Sequence, residues 1–331
     1  MAFIDLPSSP LAPGRSPARI HYRDAGGGPD GGPPVVVLHG GWGYEIYPFD
    51  RQIETLGPRH RFVIPDRSGY GRSGPLDILP TDFHQRAMEE TRAVLDALGL
   101  ERPVLWGHSD GAIIALLFGL AAPERIAGAI VEATHLYKVK PRSRAFFEGV
   151  AGNPQSLGSG VAAVMARDHG DRWPALVDMH SRAWIRIREQ ASSPFEDFYG
   201  GRLGDLRVPV LVVHGARDPR TEPGELEALR AALAGPERAG LPHAERGGPE
   251  RPGLPRAERG AALSGPPIEF AIFEEGGHSP HSERATADGV TRVAESFLAG
   301  VSYPAHPASP APPAHPAPPA HPAPPARPAR P

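Results

Sequence analysis

Apolar runs punctuate the first 235 residues and return from 268 to 298, with polar and Gly/Pro-rich stretches between them. Pro34 to His39 is a short β-branched run bounded by glycines, the pattern of a strand buried on both faces. Similar runs are Arg61–Asp66, Pro103–Gly107, Arg125–Glu132, Val208–His214 and Ile268–Phe273. Ala18–Arg23 reads as an additional first strand. Between them lie helical patterns. Asp82–Leu98 places Ala87, Thr91, Val94, Leu95 and Leu98 close to a 3.6-residue period, and Gly99 stops it. Asp110–Ala121 is apolar nearly all round, as in a buried helix, and Arg284–Leu298 is amphipathic. Buried strands alternating with helices predict an α/β domain with a mostly parallel sheet and helices on both faces.

The alternation breaks between Leu136 and Asp205, where helical patterns such as Pro174–Glu189 occur without strands. Residues 136–205 are therefore expected to form a helical cap between two core segments, 18–135 and 206–300. Residues 1–17, rich in Pro and Ser, are expected to be a flexible N-terminus. GPERAGLPHAERG (235–247) recurs almost unchanged as GPERPGLPRAERG (248–260), and the stretch 235–265 is expected to be a low-complexity loop. The tail, 301–331, repeats Ala, His and Pro and is expected to be extended and disordered.

Composition removes several classes. The 331 residues include no cysteine, which excludes a disulfide scaffold, a thiol nucleophile and a thiolate metal site. The net charge of −3 offers no basic field for nucleic acid or an acidic membrane. No run approaches the roughly 18 apolar residues of a membrane span, and no signal-peptide pattern opens the chain, so a cytoplasmic location is expected. The ordered part contains no P-loop, dinucleotide fingerprint or metal-ligand spacing, so no cofactor and no metal are expected.

The chemistry concentrates at Gly107-His108-Ser109-Asp110-Gly111, where a buried strand turns into a buried helix. Such a turn lifts a serine hydroxyl above the sheet over a helix N-terminus. A serine nucleophile needs a base, itself oriented by an acid. Two histidines follow the last strand; His278, after Gly276-Gly277, is preferred to His281. Asp218, after the preceding strand, is the candidate acid, with Glu222 and Glu132 as weaker alternatives. An oxyanion needs two donors. The backbone N–H of Asp110 supplies one, and Gly41, with Trp42 second, supplies the other. His39 is read as structural. Trp42, His135, Trp173 and Trp184 are candidates to line a substrate pocket.

The blocks HGG (39–41), DRSGYGRS (66–73), GHSDGA (107–112), HGARDP (214–219) and GGHSPH (276–281), in this order, resemble the α/β-hydrolase superfamily, in particular its lid-bearing, esterase- and lactonase-like members. The resemblance covers about residues 18 to 300 without the duplicated loop. It implies an α/β-hydrolase fold: an eight-stranded sheet, a cap after the sixth strand and a Ser109–Asp218–His278 triad. Haloalkane dehalogenases and epoxide hydrolases share the fold but carry aspartate where this chain has Ser109. The expected function is hydrolysis of a small carboxylic ester or lactone through an acyl-enzyme. Carbon–carbon or amide hydrolysis by the same triad is the alternative, and a non-catalytic ligand-binding protein is the rival from another class. The expected partner is a small-molecule substrate, with no nucleic acid and no membrane.

Overall fold

A computed structural model describes residues 2–27, 31–238, 258–259 and 266–303. The strands are β1 (Ala2–Leu6), β2 (Ala18–Gly26), β3 (Val35–Leu38), β4 (Arg61–Pro65), β5 (Val104–His108), β6 (Gly128–Glu132), β7 (Val210–Gly215), β8 (Glu258–Arg259) and β9 (Ile268–Phe273). The helices are α1 (Asp50–Leu56), α2 (Phe83–Ala97), α3 (Asp110–Ala121), α4 (Pro141–Val150), α5 (Gly158–His169), α6 (Trp173–Gln190), α7 (Glu225–Arg238) and α8 (Ala287–Gly300).

All strands join one sheet in the order β1-β2-β4-β3-β5-β6-β7-β9-β8. β4, β3, β5, β6, β7 and β9 run parallel, while β1, β2 and β8 pair antiparallel at the edges. Side chains alternate across the pleat. Val36, Leu38, Leu105, Val131 and Val212 enter one buried layer, with α2 and α3. Val35, Val37, Val104, Trp106, Ile130 and Leu211 enter the other, with Phe49, Leu56 and α8. Both faces are thus covered, which is why the central strands read as continuous apolar runs.

Two expectations need correction. The eight strands expected are β1 to β7 and β9, and the two-residue β8 joins them at the edge beside β9. It comes from the second copy of the duplicated segment, so 235–265 is not wholly a loop; a short helical stretch also runs to Arg238, set off from the rest of α7 by a kink at Gly235. The N-terminus is not a flexible leader. Ala2–Leu6 pairs with Ala18–Tyr22, and Ile4 and Leu6 pack with Ala18, Ile20 and Val94. Beyond it, Leu11 and Ala12 are buried, and the Ser9 hydroxyl donates to buried Glu90. A Pro/Ser-rich composition concealed a short apolar alternation that had a free sheet edge to join. The disorder expected of the tail falls outside the described residues from 304 onward, but Val301 is packed into the second layer.

After β6 the chain leaves the sheet for α4, α5 and α6 and returns at β7. These helices stand over the carboxyl ends of the strands, where open α/β sheets place their ligand crevice.

Candidate active site

β5 ends at His108 and α3 begins at Asp110, leaving Ser109 alone in the turn with φ 53° and ψ −117°. A non-glycine residue there carries strain of about 1–3 kcal/mol. The surroundings hold it: the Ser109 N–H donates to the Glu132 carbonyl at 2.9 Å, tying the turn to the end of β6. A side chain at Gly111 would collide with the Leu38 carbonyl, so glycine is what lets α3 start this close to β3.

His278 and Asp218 come from neighbouring strands. β7 and β9 pair in parallel over six positions, from Val210↔Ile268 to Gly215↔Phe273, so the loops that follow them emerge side by side. His278 Nδ1 lies 2.9 Å from Asp218 Oδ2. The Arg220 N–H donates to the other carboxylate oxygen at 2.8 Å. Burial alone would push the Asp218 carboxyl up, but the facing His278 ring and these hydrogen bonds hold it far below the ordinary range. Ser109 and His278 border the same cleft.

Beneath His278 lies a second set of polar groups. His108 Nε2 faces the His278 carbonyl at 3.0 Å and the Ser279 hydroxyl at 2.9 Å. His281 Nδ1 meets Glu132 Oε1 at 2.7 Å, its peptide N–H donates to the same oxygen at 3.0 Å, and its Nε2 donates to the Tyr47 carbonyl at 3.0 Å. The His281 and Glu132 side chains have no exposed surface. His281, the competing base candidate, and Glu132, an alternative acid, are therefore paired with each other below the cleft. His108, Glu132 and His281 bring potential metal-ligating atoms within 4.8 Å of one another. Both ring nitrogens of His281 are already committed to protein oxygens, so the cluster acts as a pin for the His278 loop.

The turn after β3 is shaped by two buried side chains. His39 Nδ1 donates to the Gly40 carbonyl at 2.7 Å, and Nε2 accepts the Arg67 N–H at 3.2 Å. Burial, then the nearby Arg67 charge, drives the His39 ring well below the usual imidazole range, consistent with a neutral structural residue. The Arg67 guanidinium donates to the His39 and Gly40 carbonyls at 2.5 and 3.0 Å. With those carbonyls held inward, Gly41 and Trp42 border the cleft. A side chain at Gly41 would strike the His180 ring and the Asp110 carboxylate. The Asp110 N–H, in the first turn of α3, has no acceptor within the helix.

The helices between β6 and β7 are clamped to this turn. Asp168 accepts the Tyr44 and Glu45 N–H groups at 2.9 and 3.1 Å. His169 accepts the Gly71 N–H through Nδ1 at 2.8 Å and donates from Nε2 to the Trp42 carbonyl at 2.9 Å. His135 and Trp184 line the cleft as expected from sequence. Trp173 does not; it is buried in the apolar core. It lies on the same face of α6 as Trp184, but eleven residues earlier, which is roughly 16 Å along the axis. One turn before Trp184, His180 reaches the cleft instead, with Nε2 3.5 Å from Asp110 Oδ2 and Nδ1 facing the Tyr70 hydroxyl at 3.1 Å. Burial lowers His180 to about 4 and leaves it neutral near pH 7. Tyr47, Lys140 and Arg220 also line the cleft and were missed. The i, i+4 spacing of His180 and Trp184 was a usable signal; the other three carry none locally.

A strained serine at a strand–helix turn that shares a cleft with a histidine–aspartate pair is the arrangement expected of the α/β-hydrolase class. The family model described as "alpha/beta hydrolase fold" matches residues 33–184. The chain is 28% identical over 227 residues to 2-hydroxy-6-oxononadienedioate/2-hydroxy-6-oxononatrienedioate hydrolase 2 of Pseudomonas putida, covering 60% of this chain and 75% of the relative. Similar solved structures include a thermophilic esterase from Thermogutta terrifontis (TM-score 0.58, 20% identity, 90% of this chain and 98% of that one). The enol-lactonase from Burkholderia xenovorans aligns with TM-score 0.56 at 17% identity, over 85% of this chain and 97% of that one. Residues 33–184 thus match the α/β-hydrolase fold family, and the solved structures share that fold. No helix among the described residues is long and apolar enough to cross a membrane.

Proposed function

We propose that the protein is a serine hydrolase that cleaves a small carboxylic ester or lactone through an acyl-enzyme. The observation that carries this reading is that Ser109, on its strained turn, shares one cleft with a His278 ring held by Asp218. His278 takes the proton from Ser109 Oγ as the oxygen attacks the carbonyl carbon. The N–H groups of Asp110 and of Gly41, with Trp42 as the alternative, receive the developing oxyanion. His278 then protonates the leaving oxygen, and water, activated by His278, releases the acid and restores Ser109. Asp218 stays ionised and fixes the imidazole tautomer. The chemistry comes from side chains and backbone and calls on no cofactor.

A second reading, hydrolysis of a carbon–carbon bond in an oxo acid by the same three residues, is favoured by the Pseudomonas relative, which acts by name on a hydroxy-oxo dioate. Both readings share the nucleophile. A fluorophosphonate probe is expected to label the wild-type protein and not Ser109→Ala. A folded wild type that resists labelling, or equal labelling of the variant, overturns both in favour of a non-catalytic ligand-binding protein. A panel of p-nitrophenyl esters, lactones and diketone acids then separates ester from carbon–carbon cleavage.

A further inference from the structure

The cleft over Ser109 has an unusual charge pattern. Its lining among the described residues includes no carboxylate. Of the four histidines that border it, three, His108, His135 and His180, are driven below the ordinary imidazole range by burial and stay neutral near pH 7; the fourth is His278. Two permanent cations remain, Lys140 and Arg220. Lys140 is neutralised, since its ammonium is buried against the equally buried Glu225 carboxylate. Arg220 has no such partner: among the described residues no carboxylate forms an ion pair with its guanidinium.

Arg220 is held in place by other means. Its guanidinium carbon lies 4.3 Å from the Phe146 ring centre, 5.5 Å from Phe147 and 5.8 Å from Trp42. Aromatic faces steady a guanidinium through its plane and leave its N–H edge free. The peptide N–H of the same residue holds the Asp218 carboxylate, so one short loop places the acid and the cation together. Burial disfavours the Arg220 charge, and although Tyr47, Asp218 and Asp110 lie near enough to favour it, no carboxylate among the described residues hydrogen-bonds to the guanidinium. A charge kept at that cost, facing a cleft, is explained by a ligand that completes it.

We propose that Arg220 is the anion-recognition residue of this cleft, and that the substrate carries a carboxylate apart from the bond that is cleaved. The planar fork of arginine pairs with a carboxylate through two parallel hydrogen bonds. In a cleft lined by no acidic side chain, that pair supplies both orientation and selection against neutral analogues. The proposal rests on the Ser109 hydrolase reading for the identity of the molecule bearing the anion, but its test needs no turnover.

Binding of monomethyl glutarate and of dimethyl glutarate is measured by calorimetry on the Ser109→Ala protein. The mono-anion is expected to bind about tenfold more tightly or better. Adding Arg220→Gln is expected to bring the two affinities together, and Arg220→Lys, which keeps the charge without the fork, to retain part of the difference. Equal affinities in Ser109→Ala, or a preference that survives Arg220→Gln, overturn the proposal. Should Arg220→Gln fail to fold, the Lys variant decides: a preference undiminished by loss of the fork also overturns it. Anion preference without fluorophosphonate labelling sinks only the hydrolase reading, and labelling without anion preference sinks only this one.

Discussion

Two buried acids approach histidines of the same loop, and replacing each by its amide is expected to give opposite results. Glu132 Oε1 accepts both the peptide N–H and the Nδ1 of His281, while Oε2 has no hydrogen-bond partner among the described residues. In Glu132→Gln, Oε1 can keep both contacts, but an amide NH₂ replaces Oε2 and buries donors without acceptors. That costs about 1–3 kcal/mol, and loss of the charge on the retained bonds adds roughly 1 kcal/mol. The expected loss is thus about 2–4 kcal/mol of stability, with a labelling rate within about tenfold of wild type because the His278–Asp218 pair is untouched. Asp218→Asn does the reverse. Its NH₂ would face His278 Nδ1 and favour the wrong tautomer, for which a rate loss of about 10⁴ is expected. Urea unfolding and the second-order rate of fluorophosphonate labelling measure the two quantities. A 10⁴-fold slower Glu132→Gln beside a nearly normal Asp218→Asn would refute the assignment and make Glu132 the acid.

The strain at Ser109 predicts that Ser109→Gly is more stable than Ser109→Ala by about 1 kcal/mol or more, since only glycine relaxes at φ 53°; equal urea midpoints would show that the turn stores nothing. A pH dependence follows from the buried histidines. His39, His84, His108, His135, His180 and His214 all sit below the ordinary imidazole value, about 6.5, in the folded protein. Below that pH the unfolded chain binds protons that the folded one refuses. Stability is therefore full above about pH 6.5 and falls toward pH 4, by up to about 1.4 kcal/mol per pH unit for each histidine. Asp110 and Asp218, held low in the fold, act in the same direction at more acid pH. A melting temperature that stays flat from pH 7 to pH 4.5 would contradict this.

The parts of the molecule legible in the sequence are those governed by local rules. The central strands announced themselves because burial on both faces leaves only apolar residues, and the turn at Ser109 because its geometry demands glycine on either side. The order of Ser109, Asp218 and His278 along the chain followed from where parallel strands end. What escaped was decided by partners distant in sequence. β1 is five residues whose reason to be a strand is the edge offered by β2. Arg220 is one arginine among many until Phe146, Phe147 and Trp42 close around it. Glu132 and His281, 149 residues apart, looked like spare catalytic groups because nothing local shows that each satisfies the other. Trp173 failed for a related reason: composition marks an apolar cap residue but not which end of the helix overhangs the serine.

The six-position pairing of β7 with β9 has an evolutionary consequence. Asp218 and His278 are 60 residues apart in sequence, yet the ladder sets their separation in space. The chain between α7 and β9 is released from any duty to measure that distance. Closing a loop twice as long costs only about 0.6 kcal/mol more. A thirteen-residue segment could therefore be copied in tandem at this point and be nearly invisible to selection on catalysis. The interval is a place where the gene can experiment with new sequence, or where an engineer can insert a module, while the distance between Asp218 and His278 is left as it was.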